Sequence, residues 1–155
     1  MSAAVLVALR VAATPEAAFS AFAGGIGRWW TSHPLFPLSP KGDGMLRFDP
    51  EGPEGRLVTR FDDGAEWEIG RVRHWLPGER LSFGWRLPSF APDQSTEVDV
   101  RFEAVGTDTR VTVEHRGWDQ IPQRHVARHG FELMLFQRRL AEHWRASLSA
   151  MAEQV

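Results

Sequence analysis

Hydrophobic and polar positions alternate along most of this chain, and the alternation changes period along the way. Val5, Val7, Leu9 and Val11 recur at every second residue, the period of a half-buried strand. Thr14-Pro15-Glu16 then sets a capping hydroxyl, a residue of fixed φ and a first-turn acid in a row, which starts a helix. Phe19 and Phe22 lie on its core side, and Gly24-Gly25 ends it. Residues 26–30 predict a second short helix, and residues 31–43 hold Pro34, Pro37 and Pro40 with no period at all. A loop of that length in a compact domain goes with function.

Six strands follow, at 45–48, 56–61, 65–75, 80–87, 97–104 and 109–115, separated by segments rich in Gly, Pro and Asp. Such short turns make neighbouring strands antiparallel. From about residue 122 to 151 the period becomes helical: Val126, Leu133, Leu140, Trp144, Leu148 and Met151 form one stripe, which Phe131, Met134, Leu135 and Phe136 widen. Arg138, Arg139, Glu142, His143 and Arg145 give the second half of this helix a polar outer face. The expected class is α+β over a single domain of residues 1–155: a curved antiparallel sheet wrapped around a long C-terminal helix, with two short helices after the first strand.

Turn geometry assigns the strand faces. With Pro77-Gly78 as a two-residue turn, Trp75 opposes Arg80, His74 opposes Leu81 and Val72 opposes Phe83, so that Val72, His74, Phe83 and Trp85 share the concave side. The loop Asp62-Asp63-Gly64 permits two registers. A two-residue turn buries Glu66 and Glu68, whereas a three-residue loop pairs Arg60 with Glu66 and turns Leu57, Thr59, Phe61, Trp67 and Ile69 inward, with a slip at Gly70. Charge sorting favours the second.

Composition narrows the function classes. The chain has 155 residues, 43% of them hydrophobic, enough to bury about 70% of its unfolded surface. Seven Trp and ten Phe with no Tyr supply broad apolar walls and few hydroxyls. A net charge of -2, with Lys41 as the single lysine and acids interrupting each run of arginines, argues against a nucleic-acid partner. The N-terminus has no basic region, and no apolar run approaches the ~18 residues of a membrane span, so a cytoplasmic protein without a membrane partner is expected.

No Gly-rich phosphate loop, Ser nucleophile elbow or cysteine is present, so no cofactor and no catalytic residue is assigned. His125 and His129 have the i, i+4 spacing of a metal pair but no third ligand, and no metal site is expected. Glu66, Glu68 and His74 would make an acid/base set only in the two-residue register. His115, at a strand end, reads as a side chain bonded to a loop.

Four segments carry a resemblance: Thr14-Pro15-Glu16 on to Trp30, Gly70-Arg-Val on to Pro77, Glu79-Arg-Leu on to Trp85, and Gly106 to Gly117 followed by His129-Gly130-Phe131. In order and spacing they resemble the START-like (SRPBCC) superfamily and, within it, the family named for the C-terminal domain of the activator of the heat-shock ATPase. The resemblance implies a helix-grip fold and a cavity that takes a hydrophobic small molecule, without implying one activity. The named activator has a separate N-terminal domain for which this chain leaves no room, which counts against co-chaperone activity. Phe131 stands where family members often carry Trp.

The expected function is therefore binding of a hydrophobic or aromatic small molecule between the sheet and the C-terminal helix. Trp67, Phe83, Trp85, Val98, Val100, Phe102, Phe131 and Leu135 are the expected walls, with Val72 and His74 on the same concave face. Trp30 and Ser89-Phe90-Ala91 would shape the mouth. Two other classes stay open: an enzyme of the cyclase or hydratase kind using a cavity acid or His, and a protein-binding module with an exposed apolar patch. A protein partner and the oligomeric state are left open.

Overall fold

The computed structural model describes residues 4–155. Strand β1 (Ala4–Val11) leads into helices α1 (Pro15–Gly24) and α2 (Ile26–Trp29). After the proline-containing loop come β2 (Met45–Phe48), β3 (Arg56–Arg60), β4 (Glu66–Leu76), β5 (Arg80–Trp85), β6 (Thr96–Val105) and β7 (Asp108–Arg116), and the chain ends in α3 (Leu133–Ala152). The seven strands form one antiparallel sheet in the order β1-β7-β6-β5-β4-β3-β2, and its concave face is covered by the helices. This is the helix-grip architecture that the resemblance implies, built from the antiparallel meander and long C-terminal helix expected from the sequence pattern. No helix of the described residues is long and apolar enough to cross a membrane.

Local chemistry accounts for the element boundaries. Thr14 caps α1 by accepting from the Ala17 amide at 3.2 Å, with Pro15 at the first helical position. Phe19 and Phe22 press α1 onto Phe102 of β6 at ring separations of 5.2 and 6.1 Å. The Trp29 indole donates to the Phe22 carbonyl at 3.1 Å, which locks α2 onto α1.

The last helix begins at Leu133, not near residue 122. Two 3₁₀ turns, Trp118–Gln120 and Val126–Arg128, occupy the interval, and His129 and Gly130 take positive φ values of 53° and 74° that end any helical run. Buried Arg128 holds this segment together, donating to the carbonyls of Ile121 and Phe131 at 2.8 Å each. Glu132 then caps α3 through the Leu135 amide.

The registers follow charge sorting on one side and depart from expectation on the other. Arg60 pairs with Glu66 and Thr59 with Trp67, and the ladder slips at Ile69–Gly70, as a three-residue loop requires. Around Pro77-Gly78 the Glu79 amide does bond to the Leu76 carbonyl at 2.9 Å, but the ladder resumes with Leu76 opposite Arg80. A second slip at Arg73 restores Val72 opposite Phe83. Between the two slips the faces are inverted: Trp75 turns inward against Phe19 and Phe48, and His74 turns outward with Nδ1 2.6 Å from the Ser82 hydroxyl.

Gly70 is required by close approach. A Cβ there would lie 1.8 Å from the Gly84 carbonyl oxygen. On the outer face, Arg80 grips Asp99 with two hydrogen bonds of 3.0 and 2.8 Å, while Arg101 and Arg116 approach the same carboxylate at 3.8 and 3.6 Å. Burial alone would raise the Asp99 pKa, but the Arg80 hydrogen bonds and the charges of Arg80, Arg101 and Arg116 outweigh it and hold the group below its ordinary value.

Two outcomes follow from these contacts. Gly70→Ala should cost at least about 2 kcal/mol in urea unfolding, because β4 and β5 must separate, whereas Gly106→Ala, at φ 63° with open space around it, should cost about 1 kcal/mol. Asp99 binds its proton more weakly folded than unfolded, so its contribution is complete above the unfolded carboxylate value and fades as pH falls through the lower folded one. Asp99→Asn should lose about 2 kcal/mol at pH 7. Between pH 5 and pH 2 the variant should lose less stability than the wild type, measured by denaturant titration at each pH.

Candidate functional site

The helices fill the concave face unevenly. At β2, β6 and β7, and at Trp75 of β4, α1 and α2 meet the sheet directly, and Phe83, Val98, Val100 and Phe102 are packed into the core. Toward the ends of β5 and β7 an apolar cavity of about 340 Å³ remains. Its walls come from five parts of the chain: Trp30 after α2, residues 35–40 of the proline loop, Trp85 at the end of β5 with Leu87, Pro88 and Ser89 after it, His115 and Trp118 around the end of β7, and Leu140, His143 and Trp144 of α3, with Val126, Ala127 and His129 at the rim.

Three indoles form the floor. Trp30 lies 5.3 Å from Trp85 and 5.5 Å from Trp144, and Trp85 lies 6.0 Å from Trp144. Such tilted and edge-on contacts hold large flat surfaces in place. Asp43 fixes the near wall: its carboxylate accepts from Trp30 Nε1 at 2.9 Å and from the Leu38 amide at 3.0 Å, so one side chain ties a floor residue to the cover.

His115 is buried in this wall and fully engaged. Trp144 Nε1 donates to its Nδ1 at 3.1 Å, while Nε2 lies 2.9 Å from Thr96 Oγ1, which itself donates to the Trp85 carbonyl at 2.7 Å. These partners select the neutral tautomer with hydrogen on Nε2, and burial pushes its pKa down to about 3. His115 therefore bonds to a strand and a helix, not to a loop, and both ring nitrogens are occupied. His143 is also buried, between Trp30, His33 and Phe36. Burial, with the neighbouring His33, pushes its pKa down to about 4 against the opposing effect of Asp43. The polar outer face assigned to His143 is corrected: with Leu140 and Trp144 it forms an i, i+3, i+4 patch facing inward.

His125 and His129 do not form a metal pair. In the 3₁₀ segment His125 Nδ1 accepts from the Ala127 amide and Nε2 lies 3.0 Å from the Ser89 carbonyl, while His129 Nε2 meets the Leu35 carbonyl. The segment is thus latched to both neighbouring loops. No cluster of three or more metal-ligating side chains occurs among the described residues.

Of the residues named from sequence, the structure brings Trp30 and Trp85 into the cavity wall, together with Ser89 of the expected mouth. Val72 is buried with Phe83 in the core, and Trp67 packs beside it with its indole donating to the Arg86 carbonyl at 3.1 Å. His74 is on the outer face. Phe131 and Leu135 are half-buried at the start of α3, outside the wall, because the helix begins later than its apolar stripe suggested. Glu66 and Glu68 pair with Arg56 and Arg60 outside the sheet, and among the described residues no carboxylate lines the cavity.

Comparisons with known proteins agree with this architecture. An anthrahydroquino-gamma-pyrone synthase, Txn09, solved in complex with SUM, is 29% identical over 89% of this chain and 86% of its own, with a TM-score of 0.51. Protein Mll3558 from Rhizobium loti is 20% identical over 100% and 98%, with a TM-score of 0.65, and PFC0360w, an HSP90 activator from Plasmodium falciparum, is 16% identical over 91% and 86%, with a TM-score of 0.60. No curated protein sequence matches the chain significantly. A family model, activator of Hsp90 ATPase homolog 1-like protein, matches residues 12–148, so the chain belongs to that family within the START-like superfamily.

Proposed function

We propose that this protein binds a small, flat, hydrophobic molecule in the cavity between the sheet and α3. The observation that carries this reading is the cavity of about 340 Å³ floored by Trp30, Trp85 and Trp144. Its volume lies at the small end of the range for small-molecule sites, room for a molecule of one to three rings but not for a long acyl chain. The likeness to an anthrahydroquino-gamma-pyrone synthase supports the reading without fixing the ligand.

Catalysis of the cyclase or hydratase kind is the second reading, favoured by that same neighbour. Of the two buried imidazoles in the wall, His115 is held by two partners, and His143 is the better placed. A protein-binding module ranks behind both. The most exposed large apolar residues, Met134 of α3, Val126 of the second 3₁₀ turn, Leu6 on β1 and Met45 on β2, come from four separate elements, and Leu6 and Met45 lie at opposite edges of the sheet.

Titration with a panel of two- and three-ring aromatic compounds should quench or shift the tryptophan emission and raise the melting temperature. Trp85→Ala should weaken binding at least tenfold, about 1.4 kcal/mol, at a stability cost of about 3 to 5 kcal/mol. Trp75→Phe, which alters an indole packed on Phe19 and Phe48 outside the cavity, should change the emission but leave the midpoint within twofold. Failure of every compound to move either emission or melting temperature would reject the reading.

A further inference from the structure

The cover of the cavity is built on histidines. Of the six in the chain, four stand in its two non-regular segments or directly beneath them: His33, His125, His129 and His143. His33 Nδ1 accepts from the Leu35 amide at 3.0 Å, and His125 Nδ1 accepts from the Ala127 amide at 3.0 Å. Leu35 and Ala127 both line the cavity. An imidazole accepts at Nδ1 only while it is neutral, and a proton there sets N–H against N–H and undoes the turn. His129 meets the Leu35 carbonyl through Nε2, a donor in the charged ring as well, and so joins the two segments.

His143 lies beneath this cover with 2% of its surface exposed. Phe36 stacks on it at 5.6 Å and His33 meets it edge-on at 5.2 Å, so the proline loop closes it off on that side. The charges that act on His143 belong to the same loop: His33 opposes its protonation and Asp43 favours it. Helix α2 and strand β1, which also pack on α3, add none among the described residues, and on α3 itself Arg139 pairs with Glu142. His125 faces Phe90 and the Ser89 carbonyl, and His129 faces Phe36 and Phe131. Each segment is anchored at its far end by a group other than imidazole. Asp43 holds the Leu38 amide, and buried Arg128, with Glu132 acting on its charge, holds the carbonyls of Ile121 and Phe131.

We infer that this cover is an acid-opened lid: neutral His33, His125 and His143 keep residues 33–37 and 125–127 closed over the cavity, and protonation frees them while Asp43 and Arg128 remain as hinges. The direction follows from burial. In the closed form burial, helped by His33, pushes the His143 pKa down to about 4, and opening to water returns it to its ordinary 6.5. Acid therefore favours the open form, beginning below 6.5 and levelling off near 4. Between pH 7 and pH 5 this one group shifts the opening equilibrium about twentyfold. His115 is tied to a strand and a helix and stays with the wall.

Amide hydrogen exchange of the full chain, followed by NMR without added ligand and corrected for intrinsic rates, reads this opening. Protection at Leu35 and Phe36 should fall about twentyfold from pH 7 to pH 5, and Ala127 should lose protection with them. At both pH values these amides should exchange at least about tenfold faster than Val100 and Val113 in the middle of the sheet, at rates that do not change in 0–1 M urea, the mark of local opening. His143→Leu should cut the response at Leu35 and Phe36 below threefold. His125→Asn, which keeps an oxygen for the Ala127 amide but does not titrate, should shrink the response at Ala127 and leave its protection at pH 7 within threefold. A wild-type change below threefold, exchange of Leu35 and Phe36 only together with Val100 and Val113, or variants that alter protection equally at both pH values would overturn the inference. No ligand enters the measurement, so its failure leaves the binding reading standing, and a failed ligand titration leaves the lid standing.

Discussion

A line of hydrogen bonds running through the core, from Trp144 to His115 to Thr96 to the Trp85 carbonyl, holds α3 at its distance from the sheet. Apolar contact alone would draw the helix down until the space closed, because each buried methylene gains from closer packing. The chain of donors and acceptors opposes that collapse. It links one residue each from α3 and β7 with two from the β5–β6 pair, and moving the helix inward would leave buried polar atoms without partners. Burial keeps His115 neutral and the chain occupies both of its ring nitrogens, so the group that most resembles a catalytic base is a structural strut.

The concave face is divided by what covers it. Where α1 and α2 meet β6, the rings of Phe19, Phe22, Trp29 and Phe102 interlock and no space survives. On the other side α3 packs along β1, its Trp144 reaches His115 of β7, and the indoles of Trp30, Trp85 and Trp144 stand tilted or edge-on to one another beside the cavity. Stability and vacancy are thus allotted to different halves of one sheet. The outer face contributes through arginine–carboxylate pairs, of which Asp99 with Arg80 is the most buried.

Much of this was legible in the chain. Alternation of period two, the Thr14-Pro15 cap and the glycine-rich turns gave the order and nature of every strand and the two early helices, and the Arg60–Glu66 register followed from keeping charges out of the core. Local rules failed where two errors of phase cancelled: the slips at Glu79 and Arg73 leave Val72 and Phe83 paired as expected while reversing His74 and Trp75, and no residue type announces such a pair of bulges. The cavity was placed too deep for a different reason. Period identifies the side that faces inward but not what fills it, so Phe83, Val98, Val100 and Phe102 read as walls although all four are packed into the core, Phe102 against α1 and Phe83 against Phe48. Residues 122–132 carry helical spacing, and the tertiary contacts of Arg128 win over it. His143 looked like surface because its neighbours in sequence are charged.

The cover of the cavity is built differently from its floor. Residues 35–40 and 126–129 belong to neither sheet nor long helix, and they meet through side-chain bonds to backbone carbonyls, with Asp43 tying the first of them down. Substitutions at Leu35, Pro37 or Ala127 alter the ceiling without touching a strand register or the indole floor. Selection can therefore act on cavity shape almost independently of folding, in an architecture that persists at very low sequence identity.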